Sequence, residues 1–250
     1  MATTDTALTV IVPVYNEEGC LTRFCESMDA FLLQAPMPTQ VLFVNDGSTD
    51  NSLQQIREIC YSKPGYSFIS LDRNRGLSTA IKAGIDHINT TYIGYIDSDL
   101  QTSPLDFLLF FEFLPAYQMV NGIRAKRKDT FVKKMSSKIA NSFRRRMIND
   151  GIQDTGCPLK IVDAAYAKRV PFFDGMHRFL PALIQLQGGR VKQLPVQHFE
   201  RFAGYSKYHL FNRLWGPLND TFAFRWMRKR YINYNIAEEF ENQPVTNGRL

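Results

Sequence analysis

The first half of the chain alternates short apolar runs with amphipathic segments, and this alternation restricts the folds that it can adopt. Apolar runs bounded by polar or turn-forming residues predict buried strands. The predicted strands are Leu8–Val14, Val41–Asn45, Tyr66–Leu71, Tyr92–Ile96 and Met119–Ile123. The helices predicted between them lie near residues 17–33, 51–62, 76–88 and 104–114. This alternation predicts βαβ units, and therefore an α/β fold with a mainly parallel sheet covered by helices on both faces.

The second half of the chain has a less regular pattern. It predicts a basic helix near 130–149, a turn-rich stretch at 150–158, a helix near 178–187 and a strand near 190–199. No repeat or clear linker interrupts the pattern, and a length of 250 residues suits one large domain. The expected division is one domain over 1–210, a helical segment over 211–236 and a flexible tail over 237–250.

Composition excludes several classes of protein. Hydrophobic residues make up 44% of the chain and charged residues 22%, as in an ordinary globular protein. The four cysteines lack the spacing of a metal site and are too sparse for a disulfide scaffold, which predicts a reducing compartment. The first apolar run, Ala7 to Val14, is short and has no basic flank, so we expect no signal peptide. No run approaches the ~20 apolar residues of a membrane span.

Positive charge is concentrated in two blocks. Residues 124–146 contain ten Lys or Arg and one Asp, and residues 201–230 contain seven Lys or Arg and one Asp. The net charge of the whole chain is +6, so the remainder carries −9. Such blocks indicate an anionic partner such as phosphate groups, anionic lipid or nucleic acid, or else solvated helix faces. Aromatic residues are not interleaved with the basic ones for base stacking, so we do not expect nucleic-acid binding.

The tripeptide Asp97-Ser98-Asp99 closes the fourth predicted strand. Ligands bind outside the carboxyl ends of the strands in an open parallel sheet, and two carboxylates placed there repel each other unless a cation or a proton intervenes. Mg2+ or Mn2+ held by one or two carboxylates and by ligand phosphates would resolve that repulsion. The alternative is a helix N-terminus capped by residues of this loop, among them Asp99 and Ser103.

The other predicted strands also end in polar clusters. These clusters are Pro13-Val14-Tyr15-Asn16-Glu17, Asn45-Asp46-Gly47-Ser48, Asp72-Arg73-Asn74-Arg75-Gly76 and Gly122-Ile123-Arg124. A parallel sheet brings them to one edge, where Tyr15 would offer an aromatic face, Asp46 a carboxylate for base N–H groups, and Arg75 and Arg124 positive charge. Together with the metal site, they could hold a base, a ribose and a diphosphate. No G-x-G-x-x-G follows the first strand and no Walker A sequence occurs.

The chain resembles a known family. The segments Ile11 to Glu18, Val44 to Asp50 and Asp97 to Gln101 are similar to those of family 2 glycosyltransferases with the GT-A fold. Within that family the chain is most similar to the dolichyl- and polyprenyl-phosphate sugar transferases. The motifs that carry this likeness are Asn74-x-Gly76-x3-Ala80-x3-Gly84, Asp154-Thr155-Gly156-Cys157 and Arg201-Phe202-Ala203-Gly204-Tyr205-Ser206-Lys207. The resemblance extends from residue 8 to about residue 210.

The resemblance implies roles for individual residues. Asp97 would face the ribose or the metal, Asp99 would ligate Mg2+ or Mn2+, and Gln101 would be a further ligand. Asp154 would be the general base if the acceptor were a hydroxyl. The implied donor-binding set is Pro13, Tyr15, Glu17, Asp46, Arg75, Asp97, Ser98, Ser206 and Lys207. The implied catalytic set is Asp97, Asp99, Arg124, Asp154 and Arg201, and the candidates for an acceptor phosphate are Arg124, Lys133, Lys134 and Arg144.

The implied reaction is inverting transfer of a sugar from a UDP- or GDP-sugar to a polyprenyl phosphate. A phosphate acceptor is anionic at neutral pH, so positioning and charge neutralisation would replace strong base catalysis. One alternative is transfer to a sugar hydroxyl of a glycan or glycolipid, which requires a base such as Asp154. An alternative of another class is a non-catalytic subunit that binds a nucleotide sugar.

The segment over 211–236 combines apolar and basic residues. Phe211, Leu214, Trp215, Leu218, Phe222 and Trp226 recur at spacings of three and four, as on one face of a helix. Gly216-Pro217 interrupts this pattern, as a kink or as the start of a second helix. Basic residues beside the stripe favour an anionic membrane surface, and packing on the catalytic domain is the alternative. We therefore expect peripheral binding to the cytoplasmic face of a membrane, with a possible integral membrane partner.

Overall fold

A computed structural model describes residues 7–114, 116–124, 146–200, 212–234, 237, 238 and 240. These residues form a seven-stranded sheet with helices on both of its faces. The strands are β1 (Leu8–Val14), β2 (Thr39–Asn45), β3 (Tyr66–Ser70), β4 (Tyr92–Tyr95), β5 (Met119–Arg124), β6 (Lys160–Asp163) and β7 (Val191–Val196). The α-helices are α1 (Leu21–Leu32), α2 (Ser52–Ser62), α3 (Leu77–His87), α4 (Ala164–Lys168), α5 (Leu180–Leu186) and α6 (Asn212–Arg228).

The sheet is mixed and mostly parallel. Its strand order is β3-β2-β1-β4-β6-β5-β7, and β6 pairs antiparallel with both of its neighbours. The other described pairings are parallel. The predicted α/β class and the mainly parallel sheet are therefore confirmed, and the ends of five strands that lead into the candidate motifs lie at one edge. Because β6 is reversed, it begins at that same edge.

Two apolar cores lie on the two faces of the sheet. One core packs α1, α2 and the segment after β4 against the strands, with Phe24, Phe31 and Phe107 fully buried. The other packs α3, α4, α5 and α6 on the opposite face. Alternate residues of a strand point to opposite faces, so the apolar runs of β1 and β2 supply both cores at once. This explains why their sequences are continuously apolar.

The helix predicted near 104–114 is present, but it is not an α-helix. The chain forms two 3-10 helices, Pro104–Leu109 and Phe111–Phe113, the first capped by the Ser103 hydroxyl, which accepts from the Leu105 amide at 3.3 Å. Phe107, Phe110 and Phe113 recur every three residues, which places them on one face of a 3-10 helix. Phe107 and Phe110 are buried there. The spacing of the aromatic residues thus suits three residues per turn.

Two further elements differ from the prediction. The short strand β6 and helix α4 were not predicted, because a four-residue strand and a five-residue helix carry too little periodicity. Of the two alternatives for Gly216-Pro217, a kink or the start of a second helix, the second is wrong, since α6 runs continuously from Asn212 to Arg228. The later turns of α6 dock on the domain through the buried Thr221 and Phe224. Such packing stabilises a helix beyond its intrinsic propensity.

Candidate active site

The predicted polar clusters converge at the edge where the parallel strands end. Strained backbone marks the same region. In the described chain, three residues other than glycine have positive φ: Asn16 at 52°, Leu100 at 60° and Asn149 at 53°. Asn16 follows β1, and Leu100 follows the tripeptide Asp97-Ser98-Asp99. This conformation is unfavourable for a branched side chain such as leucine, and strain of this kind clusters at functional sites.

Asp97 and Asp99 form the acidic centre of this edge. The Tyr95 hydroxyl donates to Asp97 Oδ1 at 2.7 Å, and the Gln101 amide donates to Asp99 Oδ1 at 3.1 Å. Burial, with the neighbouring Asp99 carboxylate, raises the pKa of Asp97 to about 6. Burial and a neighbouring negative charge both disfavour the ionised form of the Asp97 carboxyl group. A bound cation would relieve that repulsion.

The ligands available here fit a hard divalent cation. Within the described ranges, no three acidic, histidine or cysteine side chains are grouped so that they could hold an ion. Asp97, Asp99 and Gln101 would therefore leave several coordination positions to water and phosphate oxygens. Mg2+ usually keeps such positions open and binds through one or two carboxylates plus substrate phosphates. Asp99 also accepts a backbone bond within its own loop, whereas the helix that follows is capped by Ser103 and not by Asp99.

The loops after β1 and β2 are joined by hydrogen bonds. The Asn16 carboxamide accepts from the Thr49 amide at 2.7 Å, and the Asn16 amide donates to the Ser48 hydroxyl at 3.0 Å. The Glu17 amide donates to the Ser52 hydroxyl at 2.9 Å. The polar residues of these two motifs thus shape the loops, and Tyr15 lies partly buried between them and the strand.

Ser98 joins the β4 and β1 loops. Its buried hydroxyl donates to the Pro13 carbonyl at 3.4 Å, so the two predicted donor-binding residues contact each other.

Asp46 holds the loop between β3 and α3. Its carboxylate accepts from the amides of Arg75 and Gly76, at 2.7 and 2.9 Å, and from Asn74 Nδ2 at 2.9 Å. Burial raises its pKa in spite of these bonds. An ionised carboxylate accepts about four hydrogen bonds, so one position remains for the predicted contact with a base.

Gly47 allows the loop held by Asp46 to approach closely. Its φ is 64°, and a Cβ on it would lie 2.2 Å from the carbonyl carbon of Arg73. No other residue fits this position.

Arg75 lies at the surface. Its guanidinium pairs with Asp72, with Nη2 2.8 Å from Oδ2, and both side chains are largely exposed. The predicted phosphate contact would require this exposed pair to open, which costs little because solvent screens surface ion pairs.

Arg124 and Asp154 form a bidentate ion pair. Arg124 Nε and Nη2 donate to the two carboxylate oxygens of Asp154 at 2.8 Å each, and the Arg124 amide donates to Oδ2 at 3.2 Å. Only 16% and 12% of the two side chains is exposed. Burial alone would raise the pKa of Asp154, but the hydrogen bonds and charge of Arg124 outweigh it and lower the pKa to about 2. Asp154 is thus a weak base.

The remaining predicted site residues lie outside the described residues. They are Lys133, Lys134, Arg144, Arg201, Ser206 and Lys207. The chain leading to residue 201 is attached beside the acidic centre. The Phe199 amide donates to the Gln101 carbonyl at 2.9 Å, and the Gln197 amide donates to Asp106 Oδ2 at 2.7 Å. Sequence reasoning did not identify Asp106, whose only signal was a charge inside an apolar segment.

Helix α6 has one face on the domain and one face in solvent. Phe224 is 1% exposed and stacks on Phe179 with ring centroids 5.6 Å apart, whereas Phe222 and Trp226 are 55% and 62% exposed. The Arg228 guanidinium donates to the Ile148 carbonyl. Packing on the domain and an exposed aromatic stripe thus coexist on this helix. None of the helices in the described part of the chain combines the length and apolar character needed to cross a bilayer.

Comparison with known proteins places the chain in a family. The family model described as Glycosyl transferase family 2 matches residues 9–173. The chain belongs to that family, and the resemblance noted from the sequence is confirmed.

Two curated relatives illustrate this similarity. Dodecaprenyl-phosphate galacturonate synthase of Rhizobium johnstonii is 33% identical over 208 residues, covering 80% of this chain and 61% of the relative. Undecaprenyl-phosphate 4-deoxy-4-formamido-L-arabinose transferase of Edwardsiella ictaluri is 30% identical over 206 residues, covering 81% and 63%. The chain thus spans about three fifths of the length of these relatives.

Solved structures show the same fold at low sequence identity. Glucosyl-3-phosphoglycerate synthase from Mycobacterium tuberculosis, in complex with Mn2+, UDP-glucose and glycerol 3-phosphate, matches with a TM-score of 0.64 at 16% identity, over 89% of this chain and 80% of that one. A mannosyltransferase from Pyrobaculum calidifontis, in complex with GDP-Man and Mn2+, matches with a TM-score of 0.63 at 19% identity, over 89% and 64%. The GT-A fold implied by the resemblance is confirmed.

Proposed function

We propose that the chain is a metal-dependent, inverting glycosyltransferase that moves a sugar from a nucleotide sugar to a polyprenyl phosphate. The main support is the pairing of two features at one sheet edge. Asp97 and Asp99 offer a centre for a divalent cation, and Asp154 is bound by Arg124 instead of being available as a base. Family membership and the names of the two curated relatives support the same reaction class.

The donor would lie across the loops after β1, β2 and β4. Tyr15 would stack on the base, the remaining acceptor position of Asp46 would take a base N–H, and Asp97 would face the ribose. Mg2+ or Mn2+ bound by Asp99, Asp97 and Gln101 would supply Lewis acidity at the diphosphate leaving group. A UDP- or GDP-sugar suits this arrangement, and structural neighbours have been solved with one of each.

The state of Asp154 favours a phosphate acceptor over a hydroxyl acceptor. A general base works best when its pKa lies near the working pH. Burial would raise the pKa of Asp154, but Arg124 outweighs this effect and lowers the pKa to about 2. A phosphate acceptor is already anionic, so the enzyme needs to position it and to offset its charge. Arg124, Lys133, Lys134 and Arg144 are the proposed contacts for that phosphate. Arg201 is a further proposed catalytic residue, and Ser206 and Lys207 are further proposed contacts for the donor.

A polyprenyl acceptor requires access to a bilayer. The exposed Phe222 and Trp226 lie beside Arg225 on α6, and the basic residues Lys229 and Arg230 follow the end of the helix. An aromatic and basic surface of this kind suits an anionic membrane interface. We therefore propose peripheral binding to the cytoplasmic face of a membrane, with an integral membrane protein as a possible partner.

The test begins with donor binding. Thermal unfolding is measured with UDP-, GDP- and TDP-sugars, each with and without Mn2+, because a ligand that binds only the native state raises the melting temperature. We expect one nucleotide sugar to raise it, and more strongly with Mn2+. Transfer to a polyprenyl phosphate is then assayed with the wild type and with Asp99→Asn.

The variant Asp99→Asn should fold and lose at least 100-fold in transfer rate, by an order-of-magnitude expectation for loss of a catalytic electrostatic contact. Asp86→Asn is the matched control, since Asp86 is an exposed carboxylate on α3 that pairs with Lys82. Wild-type activity in Asp99→Asn would contradict the metal role. Transfer to sugar hydroxyls but not to polyprenyl phosphate would contradict the proposed acceptor.

A further inference from the structure

Lys160, the first residue of β6, is a buried cation beside the candidate active site. Only 1% of the residue is exposed. In the sheet it lies between Tyr95 of β4 and Asn121 of β5, which are its register partners. Lysine is almost never fully buried unless its charge is compensated. The position of Lys160 therefore needs a physical explanation.

The ammonium group of Lys160 contacts both loops that carry the acidic residues. Its Nζ donates to the carbonyl oxygen of Cys157, in the turn that follows Asp154. It also lies 5.8 Å from the centroid of the Tyr95 ring, and the Tyr95 hydroxyl is bonded to Asp97. Lys160 thus connects the turn containing Asp154 with the loop containing Asp97.

The charge of Lys160 acts on the carboxylates around it. Asp97 and Asp154 are the carboxylates that interact with it electrostatically, although neither forms an ion pair with it in the described chain. Burial lowers the pKa of Lys160 itself, while Cys157, Asp154 and Asp97 favour its charged form. Because Asp154 is already paired with Arg124, the charge of Lys160 is left to balance Asp97.

A buried acceptor lies in the same row of the sheet. Asn121 Nδ2 donates to the carbonyls of Gly122 and Asp154, but Asn121 Oδ1 has no hydrogen-bond partner among the described residues. A native protein rarely leaves such an atom unsatisfied without a water, ion or functional reason. Tyr95, Lys160 and Asn121 thus form a row of polar side chains across three mainly apolar strands, and packing of the sheet alone does not explain this row.

We propose that Lys160 is a positioning residue for the phosphate groups of the substrates, an inference that rests on the function proposed above. Its charge offsets that of Asp97, so that an anionic phosphate can approach the acidic centre formed by Asp97 and Asp99. Its bond to Cys157 holds the turn that follows Asp154, the ion-pair partner of Arg124. Loss of the charge should therefore disfavour anions at this edge without disfavouring a divalent cation.

The opposite effects expected on anion binding and on cation binding distinguish an electrostatic role of Lys160 from a purely structural one. If Lys160 only supported the turn, its loss would weaken the binding of cations and anions together. If its charge matters, Lys160→Met leaves a more negative site, which binds Mn2+ at least as tightly as the wild type and binds diphosphate more weakly. Lys160→Arg keeps the charge and should retain most of the diphosphate affinity.

The experiment is a calorimetric titration of the full chain with Mn2+ alone, and with inorganic diphosphate in the presence and absence of Mn2+. For Lys160→Met we expect diphosphate binding to fall about tenfold, as for the loss of one weakly screened charge, with no loss of Mn2+ affinity. Lys82→Met is the control, because it removes the charge of an exposed lysine on α3. Thermal unfolding verifies folding, and Lys160→Gln replaces Lys160→Met if the latter does not fold.

Equal loss of Mn2+ and diphosphate affinity in Lys160→Met, or no loss of either, would overturn the proposal. Absence of diphosphate binding by the wild type would overturn it as well. Failure of the wild type to bind Mn2+ would instead contradict the metal requirement of the proposed function, and the metal-free diphosphate titration would still decide the role of Lys160.

Discussion

At the scale of single residues, the pair Arg124–Asp154 shows how a partner changes the chemistry of a side chain. Asp154 is a carboxylate at the sheet edge that forms the candidate active site. Its residue type alone suits a general base. Two hydrogen bonds of 2.8 Å to Arg124 instead hold it in the ionised state. Breaking such a largely buried pair leaves an uncompensated charge, which is strongly destabilising. The pair is thus a structural part of the site as well as a chemical one.

This pair predicts a pH-dependent contribution to stability. The pKa of Asp154 falls from 3.8 to about 2 on folding, because Arg124 outweighs the opposite effect of burial. A depressed pKa stabilises the native state above pH ~4, and the contribution disappears as pH falls through 2. The shift corresponds to about 2 kcal/mol. The difference in unfolding free energy between the wild type and Asp154→Asn should therefore be large near pH 7 and shrink below pH ~4.

Urea unfolding between pH 2 and 7 measures this difference. Asp86→Asn is the comparison, since the exposed Asp86 forms only a surface pair with Lys82. A stability difference for Asp154→Asn that stays constant over this pH range would show that the charge of Asp154 does not contribute.

At the scale of elements, α6 is held by a few buried side chains on one face. Phe224 stacks on Phe179, and Thr221, three residues before Phe224 on α6, is also buried. The residues Phe222 and Trp226, which carry the apolar stripe seen in the sequence, face away from this contact. The sequence stripe therefore does not identify the face that docks.

Phe224→Ala should lower the free energy of unfolding by about 3 kcal/mol, as for a large buried aromatic side chain that leaves a cavity. Phe222→Ala is the matched control and should change it by less than about 0.5 kcal/mol, as expected for an exposed position. Denaturant unfolding of both variants tests this. Equal effects, or a larger one for Phe222→Ala, would contradict the described docking of α6.

At the scale of the whole molecule, charge is distributed unevenly. The two basic blocks carry +9 and +6, against −9 for the rest of the chain. The second block includes the part of α6 that exposes Phe222 and Trp226. Basic residues near an anionic membrane surface contribute up to about 1 kcal/mol each. Attraction of this kind decreases when salt screens it.

The protein should therefore float with vesicles that contain anionic lipid, and less so at high salt. The double variant Phe222→Ala/Trp226→Ala should float less than the wild type. Tyr61→Ala is the control, because Tyr61 is an exposed aromatic residue on α2, outside the basic blocks. Wild-type protein that fails to float with anionic vesicles would contradict membrane binding, and equal loss in Tyr61→Ala would contradict the role of α6.

The first five strands could be predicted from the sequence, because each apolar run is long enough to be recognised and each ends in a polar cluster. The β1 prediction, Leu8–Val14, matches the structure at both ends. The position of Asp97 and Asp99 at the sheet edge follows from this pattern alone, since parallel strands share one direction. The family resemblance rests on the same local motifs.

The partners of these residues were decided by the tertiary structure. Arg124 and Asp154 are 30 residues apart, and Lys160 meets Tyr95 only because β6 inserts between β4 and β5 in the reverse direction. Burial and pairing depend on such long-range contacts, and they determine whether a carboxylate is a base, an ion-pair partner or a metal ligand. The sequence thus determined which chemical groups reach the sheet edge. The fold determined which of them are charged, buried and paired there, because those properties belong to neighbours in space.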